Sequence, residues 1–246
     1  MPAAKSAEVP ELHGPPRRVS GLVSGVAERR ASVGLRLARP GKGAAFAELR
    51  ARVAPFGQAS ELQVRLPPET PPGTYSGTVA LADGDRSIRI KVLPELRLRI
   101  HPRRSRLTVR AGEEATLHLA IANVGNVAWE IPPAAAFGLF EVGGADSAVG
   151  AALRAELPQG EPRLERLMEE LRGRHGGLVR VDLSGAAGTL EPGATREIGA
   201  RLAIPSGLAG GRTYSGVLRI GNLHHGLALE VEDGARARGR AGGSHG

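Results

Sequence analysis

Apolar and polar residues alternate along much of this chain, the period-two pattern of strands that bury one face. Residues 31–38 alternate in this way, and residues 19–27, 46–53 and 61–66 give further short strands. Residues 67–73 carry four prolines; proline cannot donate to a central ladder, so this stretch is a connection. Residues 74–93 form the best-defined hairpin. Tyr75, Gly77, Val79 and Leu81 share one face, Ile88, Ile90 and Val92 supply the partner strand, and the Asp83-Gly84 tip is a strong hairpin signal. After a short Pro94-Glu95 linker, residues 96–100 and 107–109 are expected to make one first strand and residues 115–122 a second. Asn123-Val124-Gly125-Asn126 is the turn after it, and a closing hairpin pairs residues 214–220 with 227–231 around a tip at 222–226.

The two hairpins share Thr-Tyr-Ser-Gly, at residues 74–77 and 213–216. Upstream, Gly57, Glu61, Arg65 and Leu66 match Gly193, Glu197, Arg201 and Leu202 at an offset of 136, and residues 31–37 align with 115–121 at an offset of 84. A repeat of this length marks one fold unit used twice. The change of offset implies 52 added residues in the second copy. The expected organisation is a disordered segment at 1–17, one domain at 18–94, a second at 95–232 with an insertion at about 131–183, and a disordered basic tail at 233–246. Within the insertion Leu164, Leu167, Met168 and Leu171 recur at helical spacing between Pro162 and Gly173, which predicts one helix. Residues 137–157 fit strand or helix.

Short strands joined by Gly/Pro turns indicate an all-β fold of two tandem β-sandwiches. The sequence around Ala111-Gly112-Glu113, residues 117–126, Leu190-Glu191-Pro192-Gly193 and residues 211–216 resembles bacterial and archaeal immunoglobulin-like modules of the CARDB and NEW3 type. The resemblance covers most of the second copy outside the insertion, and mainly residues 57–93 of the first. It implies immunoglobulin-like sandwiches with an adhesive, spacer or assembly role, and it brings no catalytic residues. In that fold Tyr75 and Tyr214 read as tyrosine corners, each hydroxyl bonding upstream backbone.

Composition narrows the function classes. Hydrophobic residues are 41% of the 246, but aromatics only 3%, so the cores are aliphatic. The formal charge is +8, with Arg making up 30 of the 33 basic residues, a bias that a GC-rich genome also produces. There is no cysteine, hence no disulfide or thiolate site. No apolar run approaches a membrane span, and residues 1–20 lack a signal peptide's apolar core, so the cytoplasm is the expected compartment. No nucleophile elbow, phosphate-binding Gly loop or paired-His helix is present, so the chain reads as non-catalytic and without a cofactor.

The expected role is a structural or accessory subunit that binds a protein partner in a larger assembly. Loop tips on a rigid scaffold are natural contact points, which singles out Lys42 and the group Asp83, Asp85 and Arg86. The helix stripe Leu164, Leu167, Met168 and Leu171 is either a lid on the core or a docking element. The alternative is an anionic partner (nucleic acid, lipid head group or acidic protein) on the Arg-rich strand Arg97, Arg99, Arg103, Arg104 and Arg106, whose bland reading is the charged face of an edge strand. His224 and His225 would point to opposite faces of a strand and so make a poor metal chelate. Their expected place is a polar tip beside the first domain.

Overall fold

The computed structural model describes residues 9–24, 31–39, 42–57, 59–81, 84–156 and 162–233. They divide into two compact units. Unit 1 takes the described residues up to Leu98 together with Asn123–Trp129 and Leu190–Ala194; unit 2 takes the rest.

Unit 1 contains β1 (Glu11–Gly14), β2 (Val19–Ser24), β3 (Ala31–Arg39), β4 (Lys42–Phe56), β5 (Ala59–Val64), β6 (Gly73–Leu81) and β7 (Gly84–Val92). Their order is β1-β2-β5-β4-β3-β6-β7, closed into a barrel. Written with strand letters this is A-B-E-D followed by C-F-G, the order of the seven-stranded immunoglobulin-type fold. Two strands close the ring. The long β4 pairs with β3 and then, from Ala51 to Phe56, with β5. Strand β1 meets β2 at His13 and runs parallel to β7 from Glu11 to Gly14. Two separate sheets were expected from the strand spacing; a strand long enough to turn the corner joins them instead. Strand β1 also lies inside the 1–17 segment expected to be disordered. Leu12 is its single core contact, fully buried, and one apolar position is too little to show as periodicity.

The core of unit 1 is aliphatic: Leu12, Leu35, Leu37, Leu62, Ile88 and Ile90 are wholly buried along with Val19, Val64, Val79 and Tyr75. Burial of each large side chain contributes about 1.5–3 kcal/mol, and alternation places these residues inward while Arg52, Gln63 and Arg65 face out.

Unit 2 contains β8 (Leu98–His101), β9 (Arg104–Val109), β10 (Glu114–Asn123), β12 (Ala134–Glu141), β13 (His175–Asp182), β15 (Thr195–Ala203), β16 (Thr213–Ile220) and β17 (Leu223–Val231) in one sheet, plus a small pair of β11 (Trp129–Ile131) with β14 (Gly188–Leu190). The sheet order is β8-β10-β15-β13-β12-β16-β17-β9. That is the order of unit 1, strand for strand, with the first strand split in two so that β8 and β9 lie at opposite ends of the sheet. Residues 96–109, expected as one strand, therefore form two.

The shared order corrects the internal alignment. Leu62 of β5 faces Gly21 of β2, and its counterpart Ile198 of β15 faces Leu119 of β10. Strand β10 thus corresponds to β2, and not to β3 as residues 31–37 suggested; a period-two pattern fits any strand with one buried face, whereas Gly21 interrupts that pattern in β2. Strands β12 and β13 correspond to β3 and β4 and belong to the common sheet, so the insertion is narrower than 131–183. Between them, residues 142–174 carry two helices rather than one, α1 (Gly144–Arg154) and α2 (Arg163–Gly173).

The motif Thr-Tyr-Ser-Gly has a packing reason for its glycine. A Cβ on Gly216 would stand 2.6 Å from both the Gly138 carbonyl oxygen and the Phe137 ring, so only glycine lets β16 lie this close to β12. Strand β17 begins four residues earlier than expected. Ile220 pairs with Leu223 across Gly221-Asn222, and Gly221 has φ 60°, a two-residue hairpin turn. His224 and His225 consequently sit in a strand, not in a tip.

Candidate functional site

The tyrosines lie at the ends of β6 and β16 and bond the connections that precede them. Tyr75 donates its hydroxyl proton to the Pro71 carbonyl at 2.7 Å, and the Tyr214 hydroxyl accepts from the Ala209 amide at 3.1 Å. Both rings are buried.

Unit 1 holds the turn Asn123–Trp129 through Asn126, which is 3% exposed. Its side-chain amide donates to the carbonyls of Thr70 and Leu93, both at 3.0 Å, and its side-chain oxygen accepts from the Glu95 amide at 2.6 Å. Asn123 is equally buried and donates to the carbonyls of Val127 and Leu190 at 2.8 and 3.0 Å.

In unit 2 the helices stand on a charged hub. Glu141, at the end of β12, accepts from Arg212 at 2.6 Å and from Arg174 at 3.3 Å; Arg174 also reaches Glu170 of α2 at 3.9 Å, and Glu170 pairs with Arg166 at 2.6 Å. Burial pushes the Glu141 carboxyl up, but the hydrogen bonds from Arg212 and Arg174 outweigh it and hold the group below the usual carboxylate range. Helix α1 buries Ala148 and Ala152, while α2 buries no residue at all. The Arg163 guanidinium caps α1 by donating to the carbonyls of Leu153 and Ala152 at 2.9 and 3.3 Å, which satisfies acceptors that a helix end leaves open.

This arrangement leaves a groove of about 250 Å³ between the helices, lined by the apolar side chains of Val149, Ala152, Leu153, Leu164 and Leu167 together with Arg163. Leu164 is 67% exposed, Leu153 65% and Met168 44%; Leu167 and Leu171 are half-buried. Large apolar groups also stand on the sheet: Phe140, Leu178 and Val217 are exposed, and Phe140 packs edge-on against His175 with centroids 5.0 Å apart. Exposed apolar surface grouped in this way marks contact sites. Leu153 and Val149 were not singled out from sequence because residues 137–157 held no clean period.

Other candidate residues are scattered. Asp85 and Arg86 are exposed on β7, while Asp83 and the side chain of Lys42 lie outside the described residues. The arginine row is divided: Arg97 belongs to unit 1, whereas Arg99, Arg103, Arg104 and Arg106 lie on or beside the terminal strands β8 and β9, with Arg106 3.3 Å from Glu230. His224 faces out and accepts from Arg219 at 3.2 Å. His225 is fully buried in unit 2, its Nδ1–H donating to the Pro102 carbonyl at 2.8 Å while Nε2 has no partner. Burial pushes this imidazole below its ordinary pKa of 6.5, against a smaller opposing pull from the Pro102 carbonyl. Among the described residues no three His, Asp or Glu side chains converge as metal ligands, and no helix is long and apolar enough to cross a membrane.

No family model and no curated protein matches the chain. Among solved structures it is similar to a titin A168–A169 fragment (13% identity over 92% of this chain and 97% of that one, TM-score 0.32). It is also similar to the titin I-band fragment I67–I69 (10%, 91% and 63%, TM-score 0.31) and to titin domains Z1Z2 in complex with telethonin (13%, 93% and 96%, TM-score 0.23). With TM-scores below 0.5 these likenesses carry no argument; the immunoglobulin-type assignment rests on strand order.

Proposed function

We propose that the chain is a non-catalytic accessory subunit, built from tandem immunoglobulin-like sandwiches, that joins a larger assembly by binding a protein through α1 and α2. The observation that carries this reading is the groove between the helices. Helix α2 buries no residue fully; Leu167 and Leu171 are half-buried, while Leu164 and Met168 keep apolar surface in water. The hub at Glu141 and the Arg163 cap hold the helix pair, with Arg163 at the edge of the groove, and Leu153 and Leu164 stay exposed. Such a groove suits the apolar face of an amphipathic helix from the partner.

Isolating the tagged protein from its native source, with wild-type chain and with the Leu153→Glu, Leu164→Glu variant, tests the proposal. Both side chains are exposed, so the variant keeps the wild-type unfolding midpoint. A stoichiometric protein partner retained by the wild type and lost by the variant supports docking at the groove. The same partner held equally by both chains rejects it.

A further inference from the structure

We infer that unit 1 carries a binding site for a small, multiply charged phosphate anion, an oligophosphate, in a basin on the outer face of β2, β5 and β4. The inference goes beyond the protein-docking reading, uses a different unit and shares no residue with it.

The basin encloses about 980 Å³, the upper end of the range for small-ligand sites. The strand register builds its floor. Ser20, Gln63 and Arg52 stand in one outward row across the three strands. Next to this row stand Arg50 on β4, Arg18 in the turn just before β2 and Arg65 just past the end of β5, and Arg17 and Arg97 complete the wall. Neighbouring strands lie about 4.8 Å apart, and like charges placed opposite each other destabilise a sheet. The barrel nonetheless gathers several arginines onto one face with few carboxylates among them.

What distinguishes these arginines is that six of them line one basin with few carboxylates to answer them. Glu61 and Glu95 are the acidic residues in the lining, and Glu61 accepts from Gln63 at 3.0 Å. None of the six arginines forms an ion pair among the described residues, and the Arg17 Nε is buried with no partner. In unit 2 the arginines are divided: Arg106, Arg110, Arg166, Arg174, Arg201 and Arg212 each have a carboxylate, whereas Arg99, Arg103, Arg104 and Arg180 have none among the described residues.

Guanidinium forks match phosphate oxygens in bidentate fashion. Six cations against two carboxylates leave an excess of four positive charges, more than one orthophosphate neutralises, so the fitting ligand bears several linked phosphates. No Phe, Tyr or Trp lines the basin; a nucleobase has nothing to stack on. The ligand is charge without rings.

Calorimetric titration of the full chain with inorganic tripolyphosphate, at about 50 mM salt and again at several times that concentration, tests the site. Binding of one equivalent is expected, weakening as salt rises, with orthophosphate weaker by about tenfold or more. The variant Arg18→Gln, Arg50→Gln, Arg65→Gln should lose about tenfold or more in affinity, while its ligand-free unfolding midpoint stays level or rises because like charges have been removed. Arg104→Gln, Arg106→Gln should bind as the wild type does. Absence of binding at low salt, undiminished binding by the basin variant, or tighter binding of an oligothymidine strand than of tripolyphosphate at equal phosphate concentration would each overturn the assignment.

Discussion

Replacing Asn126 by alanine removes three hydrogen bonds that nothing nearby can replace. Its amide serves the Thr70 and Leu93 carbonyls, both at 3.0 Å, and its oxygen serves the Glu95 amide at 2.6 Å. A buried polar group left without a partner costs about 1–3 kcal/mol. Thr70 is buried and takes the full penalty, whereas Leu93 and Glu95 are half-buried and recover part of theirs from water. The sum is about 3 kcal/mol of unit 1 stability, which lowers the melting midpoint of a domain this size by roughly 12–24 °C. Denaturant unfolding followed by tryptophan emission measures it locally, because the chain's one tryptophan is Trp129, in the same Asn123–Trp129 segment. Asn126→Asp sharpens the test. A carboxylate still accepts from Glu95 but faces two carbonyls with no proton to give, so at neutral pH it is worse than alanine. It recovers as pH falls and one oxygen is protonated. A loss under about 1 kcal/mol for alanine, or an aspartate variant indifferent to pH, refutes the reasoning.

Tyr75→Phe removes the 2.7 Å bond to Pro71 and should cost unit 1 about 1 kcal/mol in chemical denaturation; no loss would mean the corner is held by packing alone. His225 resists protonation when folded and accepts it near pH 6.5 when unfolded. The unfolded chain therefore binds more protons below that pH, and the contribution His225 makes to the stability of unit 2 is complete above pH 6.5 and is lost as pH falls towards the lower folded value. His225→Leu should flatten that slope, and an unchanged slope would assign it to other groups. Glu141→Gln keeps the shape of the hub but not its charge, so hydrogen exchange should quicken in α2 while β10 and β15 stay protected; equal protection throughout would show that α2 does not depend on Arg174 and Arg212.

Local signals in the sequence carried the parts of the fold that local forces decide. The β6–β7 hairpin follows from alternation with Asp-Gly between its strands, and α2 from Leu164, Leu167, Met168 and Leu171 between Pro162 and Gly173. Gly221-Asn222 carried an equally clear turn signal, but the polar run through His224 and His225 masked the strand behind it. Strand pairing is another matter. Alternation says that a strand buries one face, not which neighbour it takes, so β10 was matched to β3 when its partners make it the equivalent of β2. The Arg basin and the Asn126 cluster draw on segments tens of residues apart. Arg18, Arg50 and Arg65 become neighbours only once β2, β5 and β4 lie side by side, and no spacing along the chain announces it.

Unit 1 starts and finishes on adjacent strands that run in the same direction, β1 beside β7, whereas unit 2 starts on β8, at the edge of its sheet far from β17, and only the next strand, β9, lies beside β17. Pulling the two ends of unit 1 apart therefore loads that seam along its length, with its rungs strained together rather than peeled one after another. Four paired positions, Glu11 to Gly14 against Arg89 to Val92, share that load, so unit 1 should give way in one step once they part.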